Sequence, residues 1–154
     1  MKVKVILLAL AVFFVGAVVC SADSPHMGTW KLNEAKSKFA AGATKNNTVV
    51  YEAAGDMTKV TVDGTDSSGA ATHNDWTGKF DGKYYAVNGS PTSDKRAYTR
   101  VNSRTLTFRE QKGGKVVLTG TITVARNGKT RTVSTNGRDA KGKWAHNTSV
   151  FDKQ

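Results

Sequence analysis

The chain has one cysteine and two prolines in 154 residues, and it is short of acidic side chains, with a net charge of +11. A single cysteine, Cys20, excludes an intramolecular disulfide framework, and two prolines exclude a collagen-like chain. Long hydrophobic runs are absent after residue 19, so we expect no transmembrane segment in the rest of the chain. What remains is a basic protein with the length of one ordinary domain.

The long apolar run of this chain lies at its start. Residues Val5–Val19 are almost unbroken apolar, Lys2 and Lys4 precede them, and small residues ending in Ala22 follow. This pattern is typical of a secretory signal peptide, whose apolar stretch is too short for a spanning helix. It predicts cleavage after Ala22 and a secreted or periplasmic protein. Cleavage before Cys20, followed by acylation of its thiol, would instead produce a lipoprotein.

The composition of the remaining chain points in two directions. Without residues 1–22, which hold two of the lysines, it has 132 residues and a net charge of +9. Leu, Ile, Val and Phe supply only 19 of these residues, and such scarcity combined with high charge is typical of disorder. Val, Ile and Thr supply 31 residues, however, and these β-branched side chains favour strands. We interpret residues 23–27, including His26, as a mobile tail and residues 28–154 as one folded domain.

Short stretches of alternating apolar and polar residues run through this domain. In the clearest, Leu118, Ile122 and Val124 share one face while threonines occupy the other, which predicts a half-buried strand. About ten such strands are predicted, at 29–33, 47–53, 57–63, 70–77, 83–88, 96–101, 104–110, 115–125, 129–136 and 143–151. Glu34–Lys45 is the one segment expected to be a short helix or a loop.

Six two-residue turn signals separate the strands, because Asp-Gly, Asn-Gly and Gly-Gly pairs supply the positive φ angles of hairpin turns. They lie at 63–64, 81–82, 88–89, 113–114, 127–128 and 136–137. Hairpins at regular spacing predict an all-β fold, an antiparallel meander barrel of about eight to ten strands. A two-sheet sandwich is the alternative, since hairpin meanders build both.

The domain also contains an internal repeat. Residues 55–74 and 128–147 align without a gap and share Gly-x-Asp-x-x-Gly-x-x-x-His-Asn, which makes His73 equivalent to His146. Turn chemistry alone explains the shared glycines and aspartate, but it does not explain the shared His-Asn pair. We interpret the repeat as a duplicated hairpin, with two unrelated hairpins as the alternative.

No motif indicates catalysis or a cofactor. The sequence lacks a nucleophile elbow and the glycine-rich phosphate loops, so we predict that the protein is not an enzyme. A metal site would need His73 and His146 to meet, with Asp66 and Asp139 nearby. Because neither a His-x-x-x-His pair nor a cysteine pair supports such a site, we expect no bound metal.

Large rings occur at alternating positions in a domain that is poor in aliphatic side chains. Trp30, Trp76, Tyr98 and Phe108 are the candidate ligand-binding rings, because barrels lined by rings and small residues leave room for a ligand. In the alternative, the same rings fill the core.

Basic residues suggest a role in recognising negative charge. An inward-pointing arginine could pair with an acidic head group; we choose Arg131, while Arg96, Arg100 and Arg109 also lie at alternating positions. The other lysines and arginines are dispersed, and their field favours anionic partners such as envelope components. No nucleic-acid-binding motif accompanies them, so nucleic acid is not an expected partner.

The segment Gly28-Thr29-Trp30 resembles the Gly-x-Trp entry of the calycin barrels, the lipocalins and fatty-acid-binding proteins. This resemblance implies a barrel whose floor is closed by Trp30. The Arg-x-Tyr that holds carboxylates in fatty-acid-binding proteins lies near their C-terminus, whereas Arg96-Ala97-Tyr98 is in mid-chain here. The longer string Gly28–Phe39 also resembles the start of small uncharacterised bacterial secreted proteins, which implies a lipocalin-like shape without a particular ligand.

The sequence therefore predicts an exported, non-enzymatic β-barrel that binds a small apolar or amphipathic molecule in its interior. The alternative is a barrel with a filled core whose basic surface binds an anionic envelope component or polymer.

Overall fold

A computed structural model describes residues 24–138 and 142–154 of the chain. The predicted signal peptide, Cys20 and Asp139 lie outside this part. The described residues form ten strands: β1 (Gly28–Lys38), β2 (Lys45–Ala54), β3 (Met57–Thr65), β4 (Ala71–Gly78), β5 (Tyr85–Asn88), β6 (Lys95–Asn102), β7 (Thr105–Lys112), β8 (Lys115–Val124), β9 (Thr130–Arg138) and β10 (Trp144–Lys153). Among the described residues, no helix is long and apolar enough to cross a membrane.

The ten strands close into an antiparallel meander barrel. Each strand pairs with the next one along the chain, and β1 pairs with β10 to complete the ring. The all-β meander barrel predicted from the sequence is confirmed, and a sandwich is excluded. Successive side chains of each strand point alternately into the barrel and out to solvent. One set of inward-pointing residues forms a continuous series of cross-strand pairs over five strands: Tyr98, Phe108, Gly120, Thr135 and Asn147.

The segment Glu34–Lys45 does not form a helix, and only its residues 39–44 form the expected loop. Strand β1 continues to Lys38, and its pairing with β10 skips from Asn33 to Lys38. The residues between them form a bulge, where the Ser37 hydroxyl accepts a hydrogen bond from the Val150 amide at 2.9 Å. Local strand propensity could not predict this bulge, because its pairing partner, β10, lies more than a hundred residues away in the sequence.

Two of the six turn signals are wrong. Gly113-Gly114 and Asn127-Gly128 do form the β7–β8 and β8–β9 turns, with positive φ at each glycine. Asp63-Gly64 and Asn136-Gly137 instead lie inside β3 and β9. A Cβ on Gly64 would overlap the Lys45 carbonyl, and one on Gly137 would overlap Leu118, so these glycines permit close packing rather than turning.

The internal repeat coincides with two hairpins. The first copy is β3–β4, the second is β9–β10, and their first strands and turns begin and end at equivalent residues. Asp63 pairs with His73 across the first hairpin, and Asn136 pairs with His146 across the second in the same register. The repeat therefore describes a structural unit.

The two ends of the barrel differ. At one end, here called the closed end, residues 24–27 lie under the barrel floor, and the Trp30 indole donates a hydrogen bond to the His26 carbonyl at 2.9 Å. Both residues are fully buried. The opposite end carries the β1–β2, β3–β4, β5–β6, β7–β8 and β9–β10 connections and is called the open end.

We predict that Gly120→Ala lowers the free energy of unfolding by about 1–3 kcal/mol, the usual effect of overpacking. A Cβ at Gly120 would overlap the Phe108 ring and approach the Ser134 carbonyl at 2.9 Å. Chemical denaturation measures the change, and the outward-facing Thr121→Ala is the control, expected within about 0.5 kcal/mol of wild type. The loss should shrink in a Phe108→Leu background; an equal loss there would contradict the ring contact as its cause.

Candidate functional site

The inward-facing residues towards the open end are less buried than those towards the closed end. On β8, β9 and β10 the inward positions carry small or medium side chains, and water reaches them. We call this region the cup. Its partly exposed lining consists of Leu32, Asn74, Leu118, Gly120, Val133, Thr135, Asn147 and Ser149. The β1–β2 connection reaches its edge, where the Ala40 amide donates to the Asn147 side-chain oxygen at 2.8 Å.

The five side chains predicted as ligand-binding residues all lie inside the barrel, in the half below the cup. Trp30 and Trp76 are 0% exposed, and Tyr98, Phe108 and Arg131 are nearly as buried. The ring centroids of Trp76 and Tyr98 are 4.8 Å apart, and those of Tyr98 and Phe108 are 5.7 Å apart. Phe108 pairs with Gly120 across the sheet, and its ring lies against the Gly120 backbone, where a Cβ would overlap it. The five side chains therefore pack mainly against each other and other core residues.

Arg131 is a buried cation inside a ring of aromatic side chains. The carbon of its guanidinium lies 4.8 Å from the Trp30 and Phe151 rings and 5.0 Å from Tyr51. Its Nε and Nη1 have no hydrogen-bond partner, and no carboxylate pairs with it within the described chain. Burial lowers the pKa of Arg131 from its ordinary value, but an arginine stays protonated. The interior thus holds a positive charge with unused donors.

Arg96, the other buried arginine, is already neutralised. Its Nε donates to Glu110 at 2.6 Å, and its Nη2 donates to the Asn74 side chain at 3.1 Å. The Trp76 indole donates to the Arg96 carbonyl at 2.9 Å, which ties this polar layer to the aromatic core. The inward-facing Arg-x-Tyr of the sequence is therefore engaged within the protein.

His26, which the sequence places in a tail, has its ring enclosed at the closed end. Both ring nitrogens are buried without a hydrogen-bond partner. Burial, followed by the positive charges of Arg131, Arg100 and Lys153, lowers its pKa from 6.5 to about 4. The ring is therefore neutral at pH 7, and it packs edge-on against Phe80 with centroids 6.5 Å apart.

The two repeated histidines do not form a metal site. The Nδ1 atom of His73 is 2.6 Å from Asp63, and that of His146 is 3.0 Å from Asn136, so each bonds within its own hairpin. Strands β3, β2 and β1 separate β4 from β10 along the shorter way around the barrel, about 19 Å at ordinary strand spacing. The described residues contain no group of three or more side chains able to hold a metal ion.

Two shallow depressions lie outside the barrel interior. One, of about 430 Å³, covers the outer face near Gly120 and is lined mostly by threonine and serine side chains. The other, of about 500 Å³, lies at the closed end between Met27 and Arg100. Neither contains an unpartnered buried charge like that of Arg131, so the interior is the stronger candidate site.

The cup lining was not predicted from the sequence. Leu118, Thr135, Asn147 and Ser149 continue the same alternation that identifies the buried rings, and this signal was present in the sequence. The prediction rested on large rings, whereas a barrel leaves space where side chains are small. Glu110 was also missed, since nothing in the sequence shows that it faces Arg96.

We predict that stability falls as pH drops from about 6.5 towards about 4, in part because of His26. The unfolded chain binds a proton there at the ordinary histidine pKa, whereas the folded ring does not until pH about 4. Denaturant unfolding should show a flatter profile over this range for His26→Leu than for wild type. The exposed His73 and His146 are present in both proteins, and parallel profiles would contradict a neutral buried ring.

We predict that Glu110→Gln destabilises the protein by about 3–5 kcal/mol, because it leaves the Arg96 charge buried without its partner. The double variant Arg96→Met with Glu110→Leu removes both charges and should be more stable than the single variant. Thermal and denaturant unfolding of both proteins measure this order. A double variant that is less stable than Glu110→Gln would contradict it.

No family model matches the chain, and no curated protein matches it in sequence. Among solved structures it is similar to a designed barrel, EF1p2_mFAP2b bound to DFHBI, with a TM-score of 0.51 and 12% identity over 84% of this chain and 94% of that one. A redesigned β-barrel, mFAP1 bound to DFHBI, shares 14% identity over 84% and 95% of the two chains, with a TM-score of 0.48. The first similarity supports the closed β-barrel fold of this chain.

Proposed function

We propose that this protein is an exported, non-enzymatic binding protein that holds a small amphipathic molecule with an acidic group inside its barrel. The observation that carries the proposal is a cup open to water above a buried arginine with unused donors. The signal-like N-terminus supports export. The Gly-x-Trp entry supports a lipocalin-like role, and the barrel of similar fold that is bound to DFHBI shows that such a fold accommodates a small molecule.

The lining of the cup matches an amphipathic ligand. Leu32, Leu118 and Val133 offer apolar surface and pack on the buried core from above. Burying a ligand against them gains roughly 25 cal/mol for each Å² of apolar surface removed from water. Asn147 and Ser149 add polar groups that can orient the ligand through hydrogen bonds. Tyr98 and Phe108 form the floor, with Trp30 and Trp76 supporting them from below.

The unpaired charge of Arg131 is the reason to expect an acidic group on the ligand. It lies on β9 two residues from Val133 and four from Thr135, so all three side chains are on the same inward face. A buried cation without a counter-charge is costly, and the three surrounding rings offset only part of that cost. A carboxylate or sulfonate would use the free Nε and Nη1 donors of Arg131, whereas the Arg96 fork is occupied by Glu110.

Two related dyes test this proposal. Anilinonaphthalene sulfonate carries a sulfonate, and N-phenylnaphthylamine has the same aromatic frame without it. We predict that wild type binds both in the cup, and that Arg131→Met weakens the sulfonate dye by about tenfold or more, the usual worth of a charged hydrogen bond. The neutral dye should bind Arg131→Met as it binds wild type. Fluorescence titration measures both affinities.

The position of the site is tested on strand β9. Thr135→Trp fills the cup and should abolish binding of both dyes, whereas Thr132→Trp places the same ring on the exposed outer face and should leave binding unchanged. Circular dichroism confirms that each variant is folded. Equal binding by the two tryptophan variants would overturn an interior site, and native mass spectrometry of exported protein would then be expected to show no bound molecule.

A further inference from the structure

The open end carries an exposed apolar and basic surface that the cup does not use. Trp144 is 58% exposed and Val116 is 41% exposed, whereas the other two tryptophans are 0% exposed. Trp144 is the first residue of β10 and Val116 is the second residue of β8, so both lie at the open end. We call the surface that they form with Lys112, Lys115 and Arg138 the basic rim.

Local pairing holds the basic rim together. Lys112 and Lys115 face each other across the two-glycine turn of β7–β8. Arg138 pairs with Trp144, its guanidinium lies 4.9 Å from the indole ring, and its Nη1 donates to the Gly142 carbonyl at 2.7 Å. Since β8 and β9 are hydrogen-bonded neighbours, the two hairpins present their tips side by side.

Positive charge dominates the rim. Lys112, Lys115 and Arg138 are all exposed. The carboxylate facing the β7–β8 turn is Asp94, and its Oδ2 accepts a hydrogen bond from the Gly113 amide at 2.8 Å. The surface therefore keeps a surplus of positive charge around an exposed indole.

This chemistry fits an anionic bilayer better than a polyanion. A tryptophan ring is most favourable at the level of lipid headgroups, with its apolar body in the membrane and its N–H in water. Each lysine or arginine near an anionic membrane surface strengthens binding by about fivefold. A nucleic acid or wall polymer would satisfy the lysines but would leave Val116 without an apolar partner.

We propose that the basic rim docks this protein on an anionic phospholipid bilayer, with the mouth of the cup turned towards the membrane. The indole of Trp144 enters the headgroup region, and the basic side chains pair with lipid phosphates. This contact is independent of what the cup holds, so it stands even if the interior binds no ligand.

The test uses vesicles of phosphatidylcholine with and without phosphatidylglycerol. We expect binding only to the anionic vesicles, together with a blue shift of tryptophan emission. Because Trp30 and Trp76 are fully buried, that shift reports on Trp144, and Trp144→Phe should abolish it. Lys112→Gln with Lys115→Gln should weaken vesicle binding by about tenfold or more.

The matched control lies at the closed end. Arg104→Gln with Lys129→Gln removes the same charge from exposed turns and should change vesicle binding far less than the rim variant. Equal losses for the two double variants would overturn docking through the rim. Binding to the polyanion heparin but not to vesicles, or vesicle binding without a blue shift, would overturn a membrane partner.

Discussion

The rest of the structure depends on how the ten strands divide their interior between large buried rings and smaller, partly exposed side chains. Barrels of about eight strands are just filled by their own side chains, and wider barrels leave room for a ligand. This chain has few large aliphatic residues and places its buried rings, Trp30, Trp76, Tyr98 and Phe108, towards the closed end. The inward positions towards the open end hold smaller, partly exposed side chains, among them Leu118, Gly120, Val133, Thr135 and Asn147.

The interior polar groups follow the same division. At the edge of the packed core, the Arg96 guanidinium donates hydrogen bonds to the Glu110 carboxylate and to the Asn74 side-chain oxygen. The charges of Arg96 and Glu110 cancel, so this edge of the core is neutral. Within the core, Arg131 has rings as neighbours in place of an acid. One arginine is thus structural, while the other retains hydrogen-bonding capacity in a region of low dielectric, where a charged partner is bound strongly.

Alternation predicted the strands well, because each strand has one buried and one exposed face whatever its neighbours are. It could not predict events that depend on distant contacts. The local sequence Asp63-Gly64 predicts a turn. In the structure the pair lies within β3, and glycine is needed there because a Cβ would overlap the Lys45 carbonyl. The sequence places His26 in a tail, because no local pattern of residues indicates that an imidazole without hydrogen-bond partners is buried. The buried rings were predicted from the sequence, but the cup was not, since its smaller residues follow the same alternation without standing out from it.

The pairing of β1 with β10 has a consequence for how the chain reaches this structure. Leu32 lies opposite Phe151, and the Gln154 amide donates to the Thr29 carbonyl at 3.0 Å. Nine of the ten strand pairings join neighbours in sequence and can form as local hairpins. The tenth joins the two ends of the sheet, and it incurs the loop-closure entropy of nearly the whole domain. Until it forms, β1 and β10 are open sheet edges that can pair with other chains, so the last step of folding also removes the main route to aggregation.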